Sequence, residues 1–204
     1  MAQIACVLFD MDGVLCHYDF ALRLRIMADG LGLTPELIER QIYASGFDEE
    51  SDEGRVGADD YLPEMGRRLG REVPLALWLE ARRRAIAPDA AMLDLARALG
   101  GHLTVAMLTN NNLLLQRHFA EVFPEAAALF GEQAFFSAQF GTGKEGPAVF
   151  GKALAVLARQ PGETLFIDDS ASYIANARMA GLHTHRFTGL DGLHETLDRL
   201  NVSR

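Results

Sequence analysis

Residues Ile4-Ala5-Cys6-Val7-Leu8-Phe9 form an unbroken apolar run that ends in Asp10-Met11-Asp12-Gly13. Six such residues, Ile and Val among them, suit a strand buried on both faces. A buried strand that ends in charge needs a reason, because an unpaired carboxylate is costly to desolvate. Asp10 and Asp12, two positions apart, point the same way where strand geometry persists, and Gly13 lets the chain turn aside. Two readings fit. One is a strand closed by an acidic turn, since Asp and Gly are common turn formers. The other is the carboxyl end of a strand in a parallel α/β sheet, where ligands bind.

From Tyr18 to about Ile86 the pattern is helical only. Phe20, Leu24, Met27 and Leu31 recur at helical spacing, and Thr34-Pro35-Glu36 has the form of a helix start. Leu62, Met65 and Leu69 make a further stripe, as do Leu75, Trp78, Leu79 and Ile86, with Trp78 read as core. The acidic stretch from Phe47 to Asp60, with Gly54 and Gly57, predicts a looser connection, and Arg82-Arg83-Arg84 reads as a solvated helix face. Arg23 and Arg25 are likewise expected at the surface, and His17 and Tyr18 as hinge residues. After Pro88 strand and helix alternate: strands at Leu103–Leu108, Ala134–Ser137, Thr164–Ile167 and His183–Phe187, helices at Met92–Leu99, Leu113–Phe119, Val149–Leu157, from Ile174 to Gly181, and Leu190–Leu200. That alternation predicts an α/β fold, a doubly wound parallel sheet, with a small helical bundle inserted after its first strand.

At 204 residues the chain can bury a sizeable core, and its apolar and charged fractions, 49% and 23%, are those of a soluble globular protein. The net charge of −9 argues against a general binder of nucleic acid or of an anionic membrane. It leaves room for a small anionic substrate, because a local field can oppose the net charge. Two cysteines make no disulfide framework; Cys6 reads as a small buried hydrophobe and Cys16, near the acidic turn, as partly accessible. No apolar run reaches the length of a membrane span and no signal-type segment opens the chain, so the expected compartment is the reducing cytoplasm.

Three predicted strands end in polar clusters: Asp10/Asp12, Thr109/Asn110 and Asp168/Asp169. A parallel sheet brings those ends to one edge. Lys144 follows the third strand in the loop Gly141-Thr142-Gly143-Lys144. Several acids in one place repel one another unless a cation joins them, and carboxylate oxygens suit Mg²⁺. A hydroxyl, backbone N–H groups and a lysine suit a phosphate. Together these parts make a phosphoryl-transfer site. Each part also has a plainer reading: Thr109 and Asn110 as helix caps, Lys144 as an exposed loop residue, Asp168-Asp169-Ser170 as a helix start, and Asn111 and Asn112 as cap or turn residues.

The set Asp10-Met11-Asp12-Gly13-Val14, Thr109-Asn110, Lys144 and Asp168-Asp169 resembles, in order and at strand ends, the four motifs of the haloacid dehalogenase-like hydrolases. The resemblance covers nearly the whole chain. It implies a Rossmann-like core of residues 1–16 and 88–204 with a C1-type helical cap at 17–87. It further implies that Asp10 is the nucleophile and that Asp12 is the general acid and then base, touching the metal through its backbone carbonyl. Thr109 and Asn110 would hold the phosphoryl oxygens, Lys144 would neutralise charge, and Asp169 with Asp168 would anchor Mg²⁺, Asp169 ahead of Asp168. Two departures stand out: proline follows the lysine late, at Pro147, and Tyr173 stands where many relatives carry Asp or Asn, with Asn176 nearby.

An acid at position 12 favours cleavage of a phosphate ester, whose leaving alkoxide needs a proton, over displacement of halide from carbon. The implied activity is a Mg²⁺-dependent phosphatase acting on a small phosphorylated metabolite such as a sugar phosphate. A sugar-phosphate mutase or a haloacid dehalogenase on the same core, and a non-catalytic binding module, are the alternatives. No partner in nucleic acid or membrane is expected, and the sequence sets no oligomeric state.

Overall fold

The computed structural model describes residues 3–203. The chain opens with β1 (Cys6–Phe9), all of it buried. A short strand β2 (Cys16–Tyr18) leads into α1 (Phe20–Leu31), α2 (Pro35–Ile38) with a π-type turn at Glu39–Tyr43, α3 (Phe47–Asp52), α4 (Ala58–Leu69) and α5 (Leu75–Arg84). β3 (Ile86–Pro88) then returns antiparallel to β2, pairing Cys16 with Pro88 and Tyr18 with Ile86. Next come α6 (Ala90–Gly100), β4 (Thr104–Thr109), α7 (Leu113–Arg117), α8 (Phe119–Val122), α9 (Pro124–Phe130) and β5 (Ala134–Phe136). The chain continues through α10 (Ala148–Leu157), β6 (Thr164–Asp168), α11 (Ala171–Met179), β7 (His183–Arg186) and α12 (Leu190–Arg199).

The main sheet has the order β5-β4-β1-β6-β7 and every pairing in it is parallel. This is the doubly wound parallel sheet the alternation predicts, with the Rossmann-like core the resemblance implies. β1 is central, and its side chains divide between two apolar layers: Val7 and Phe9 pack with Met107, Leu165 and Ile167 on one face, Leu8 with Ala106, Leu108, Phe150 and Phe166 on the other. Burial on both faces is why β1 is apolar without alternation. The first layer runs on without a break into the inserted helices, through Met27, Tyr61 and Trp78. Trp78 is core, its ring edge-on to Tyr61.

Local signals set the helix starts. Asp19, Thr34 and Asp89 accept from the backbone N–H three residues on and cap α1, α2 and α6. Three expectations need correction. Tyr18 and Ile86, read as helical, lie in the β2–β3 ribbon. The stretch expected to be a looser connection contains α3. The single helix expected over Leu113–Phe119 breaks at His118, and α9 follows where no element was predicted. Among the described residues no helix is long and apolar enough to cross a membrane.

Candidate active site

The register fixes where the polar strand ends meet. Phe9 lies opposite Met107 and Ile167, so Asp10 stands beside Asp168 and close to Thr109, and its N–H donates to Ile167 O at 2.9 Å. Lys144 reaches in from the loop between β5 and α10. Its side chain is 1% exposed, and its ammonium donates to Asp10 Oδ1 at 2.6 Å and Asp168 Oδ2 at 2.7 Å, whose side chains are 8% and 0% exposed. The late proline does not displace the lysine. Asn110 Oδ1 accepts from Lys144 N at 2.9 Å, and Asn176 Nδ2 donates to Lys144 O at 2.9 Å, so amides on both sides hold the loop.

Burial pulls the Lys144 ammonium down, but the carboxylates of Asp10 and Asp168 outweigh it and the net shift is upward. Burial likewise pushes the Asp10 carboxyl above its ordinary range, against the pull of Lys144 and with the repulsion of Asp168. Asp169 is raised by burial and by Asp168. Asp10, Asp168 and Asp169 each offer an oxygen, and the three oxygens lie within 4.8 Å of one another. Three carboxylates against one ammonium leave a formal deficit of two positive charges, and an all-oxygen donor set suits a hard divalent cation. The residues therefore fit Mg²⁺. Both Asp168 oxygens are engaged, by Lys144 and by Ser170 N at 2.8 Å, whereas Asp169 is exposed. Gly13 makes room for Asp169: its φ is 85°, and a Cβ there would sit 2.5 Å from Asp169 Oδ2.

The Asp12 carboxylate is not in that cluster. It faces Arg82 Nη2 at 3.3 Å and Cys16 Sγ at 3.5 Å. Thr109 is buried, and its Oγ1 accepts from Asn111 Nδ2 at 2.7 Å. Asn110 Nδ2 donates to Glu145 Oε1 at 2.7 Å and to Tyr173 Oη at 3.3 Å. Tyr173 thus places a hydroxyl where many relatives carry Asp or Asn, and its ring lies 4.7 Å from the Lys144 ammonium. Asn112 caps α7, as expected for a cap residue.

Sequence reasoning missed four residues. Arg82, expected in solvent, is 2% exposed; Arg83 and Arg84 are the solvated part of that run. Arg23 is also buried, donating to Tyr18 Oη at 3.0 Å and lying over the rings of Tyr43 and Trp78, whereas Arg25 is exposed as expected. The available signal was position: Arg82 follows Trp78 by four residues and Arg23 precedes Met27 by four, which puts each on a buried helix face. Asn111, expected as a cap or turn residue, bonds Thr109 and Arg82. Ser137 Oγ donates to Asp52 O at 2.6 Å and accepts from Asn111 N at 3.1 Å, tying α3 to the sheet edge. Cys16, expected to be partly accessible, is buried, and burial pushes its thiol far up.

A cavity of about 260 Å³ opens between α3 and the strand ends, lined by Glu49, Asp52, Glu53, Asn110, Glu145 and Tyr173. Burial pushes the Asp52 carboxyl well up, and its Oδ1 has no hydrogen-bond partner among the described residues. A larger hollow of about 490 Å³ along α4, around Leu62 and Val73, borders none of the predicted site residues.

Known proteins are similar to this chain in sequence and in fold. The profile of the haloacid dehalogenase-like hydrolases matches residues 4–181. The D-ribitol-5-phosphate phosphatase of Bacteroides thetaiotaomicron is 26% identical over 191 residues, 89% of this chain and 91% of its own. A phosphatase of Mycobacterium tuberculosis is 29% identical over 196 residues, 90% of this chain and 87% of its own. Among solved structures, a HAD-like hydrolase from Porphyromonas gingivalis superposes over 100% of both chains with a TM-score of 0.81 at 24% identity. A Bacteroides thetaiotaomicron HAD enzyme in complex with magnesium and inorganic phosphate superposes over 95% of this chain and 99% of its own, with a TM-score of 0.77 at 22% identity. The chain is an enzyme of the haloacid dehalogenase-like hydrolase family, and its curated relatives are phosphatases.

Proposed function

We propose that the protein is a Mg²⁺-dependent phosphatase that hydrolyses a small phosphorylated metabolite through an aspartyl-phosphate on Asp10. The observation that carries this is the Lys144 ammonium bonded to both Asp10 and Asp168, with Asp169 beside them and the Asp12 carboxylate held apart. In the first step an Asp10 oxygen attacks phosphorus, the bond to the leaving oxygen breaks, and Asp12 gives that oxygen a proton. In the second, Asp12 takes a proton from water, the water oxygen attacks phosphorus, and the Asp10–phosphorus bond breaks to release phosphate. Thr109 and Asn110 hold the phosphoryl oxygens, and Lys144 offsets charge on nucleophile and phosphate. Asp10, Asp169, Asp168 and the Asp12 backbone carbonyl would hold Mg²⁺, which when bound offsets the negative charge of carboxylates and phosphate.

Residues 17–87 act as a cap over the core of 1–16 and 88–204, and the cavity beneath α3 receives the leaving group. Its walls carry Glu49, Asp52, Glu53 and Glu145. Carboxyl groups accept from hydroxyls and repel a second anion. The substrate class is therefore a monophosphate of a polyol or sugar, in line with the ribitol phosphate named for one relative. Both cysteines are free, which suits a cytoplasmic location.

The test is phosphate release from a panel of phosphorylated metabolites, with Mg²⁺, with chelator, and with Asp10→Asn. Release that needs metal and is lost in the variant supports the proposal. Release that survives Asp10→Asn overturns the nucleophile. No release from any compound moves the reading to a mutase or a binding module.

A further inference from the structure

We propose that Arg82, on α5 of the inserted helices, is a positioning residue for the leaving-group proton transfer. The proposal rests on the phosphatase reading. Arg82 is the place where the inserted helices touch the acid of the first strand. One nitrogen, Nη2, donates to Asp12 Oδ2 at 3.3 Å and to Asn111 Oδ1 at 2.5 Å. Asn111 in turn donates to Thr109 Oγ1 at 2.7 Å. A single guanidinium therefore links the proton donor to the hydroxyl proposed to hold the phosphoryl group. Its plane is fixed from the other side, with the charge 4.6 Å from the Tyr18 ring, and Arg23 holds Tyr18 through its hydroxyl.

A buried arginine is an expensive way to fill space, because its charge must be desolvated and matched. Arg82 is matched by one carboxylate, one amide oxygen and one ring, and its Nε has no partner among the described residues. A solvated lysine or an apolar residue would satisfy packing. The planar guanidinium does what neither could: the fixed angle between the two N–H bonds of Nη2 sets the position of Asp12 relative to Asn111. In the reaction, Asp12 passes its proton to the alkoxide oxygen as the phosphorus–oxygen bond breaks. In this first step a misplaced Asp12 matters only where that oxygen needs the proton.

The experiment compares kcat/KM of wild type, Arg82→Lys and Arg82→Ala on p-nitrophenyl phosphate and on the fastest alkyl phosphate of the metabolite panel. This ratio covers the steps up to phosphoryl transfer to Asp10, so the later hydrolysis common to both substrates does not enter. The expected result is a loss on the order of 100-fold for the alkyl phosphate, the scale of general acid catalysis, and under about 5-fold for the aryl phosphate, whose leaving group departs unprotonated. Added guanidinium restores part of the alkyl rate in Arg82→Ala. Should Arg82→Ala fail to fold, Arg82→Lys carries the comparison, since it keeps the charge but not the fixed planar geometry of the guanidinium. Equal losses on both substrates, or no loss, overturn the proposal. A wild type that cleaves no alkyl phosphate overturns the phosphatase reading instead.

Discussion

Replacing Lys144 with methionine isolates a deeply desolvated charge. The lysine side chain is 1% exposed, and its ammonium is the bonded cation of two carboxylates, at 2.6 and 2.7 Å, on side chains that are 8% and 0% exposed. Methionine keeps the length and removes the charge, leaving Asp10 and Asp168 facing each other. Breaking a buried pair in this way costs about 3–5 kcal/mol, because the stranded charge has no water to return to. For a chain of this size each kcal/mol moves Tm by about 2–4 °C. The expected fall is therefore roughly 6–20 °C. Thermal unfolding is followed by circular dichroism in chelator, so that no divalent cation substitutes for the ammonium. The double variant Lys144→Met/Asp168→Asn removes one of the two stranded charges while keeping an oxygen to accept from Ser170 N. It should recover about half of the loss, a coupling of neighbours that distant sites do not show. A Tm within about 2 °C of wild type for the single variant, or a double variant no more stable than the single, would refute the reasoning. Activity should fall by at least about 100-fold in both, since the charge facing the phosphate is gone.

Other perturbations test separate parts. Gly13→Ala forces a side chain to φ 85° and into Asp169 Oδ2, so it should lose about 1–3 kcal/mol and also weaken Mg²⁺ binding by isothermal titration; unchanged Mg²⁺ affinity would show that Asp169 is not a ligand. Ser137→Ala strands the Asn111 N–H and the Asp52 carbonyl, with an expected loss of about 1–3 kcal/mol in chemical denaturation. His185 is half-buried and burial lowers its pKa; the unfolded chain therefore takes up a proton first. Stability should fall as pH drops below about 6.5, the ordinary histidine value, and level off below the folded value. The pH slope of Tm between 7.5 and 5 should be shallower in His185→Gln, and an equal slope removes His185 from the account.

Much of this was legible because both periodicity and strand-end chemistry are local. The core strands announce themselves by continuous apolar runs, and Asp10, Thr109 and Asp168 by breaking those runs with groups that need a reason to be there. Lys144 was readable only by its place after the third strand. What stayed hidden depends on distant partners. A three-residue ribbon such as Cys16–Tyr18 is too short to show alternation. Arg82 lies in a run of three arginines of which two are solvated; its spacing from Trp78 marks a buried helix face, but its role emerges only when Asp12 and Asn111 are brought to it. Ser137, a strand-end residue in sequence, gains its role from a carbonyl 85 positions away.

The central place of β1 bears on how the molecule is made. Cys6 pairs with Thr104 on one side and Thr164 on the other. During synthesis β1 therefore waits for roughly 100 further residues before it gains one neighbour, and for roughly 160 before it gains the second. Helices such as α1 and α5 need only nearer contacts and can form in the interval. Asp10 and Asp168, which share one lysine in the finished protein, are separated until β6 docks. The candidate active centre is consequently among the last parts to be assembled, and a chain that stops short of β6 presents an apolar strand with an open edge, a surface prone to aggregate.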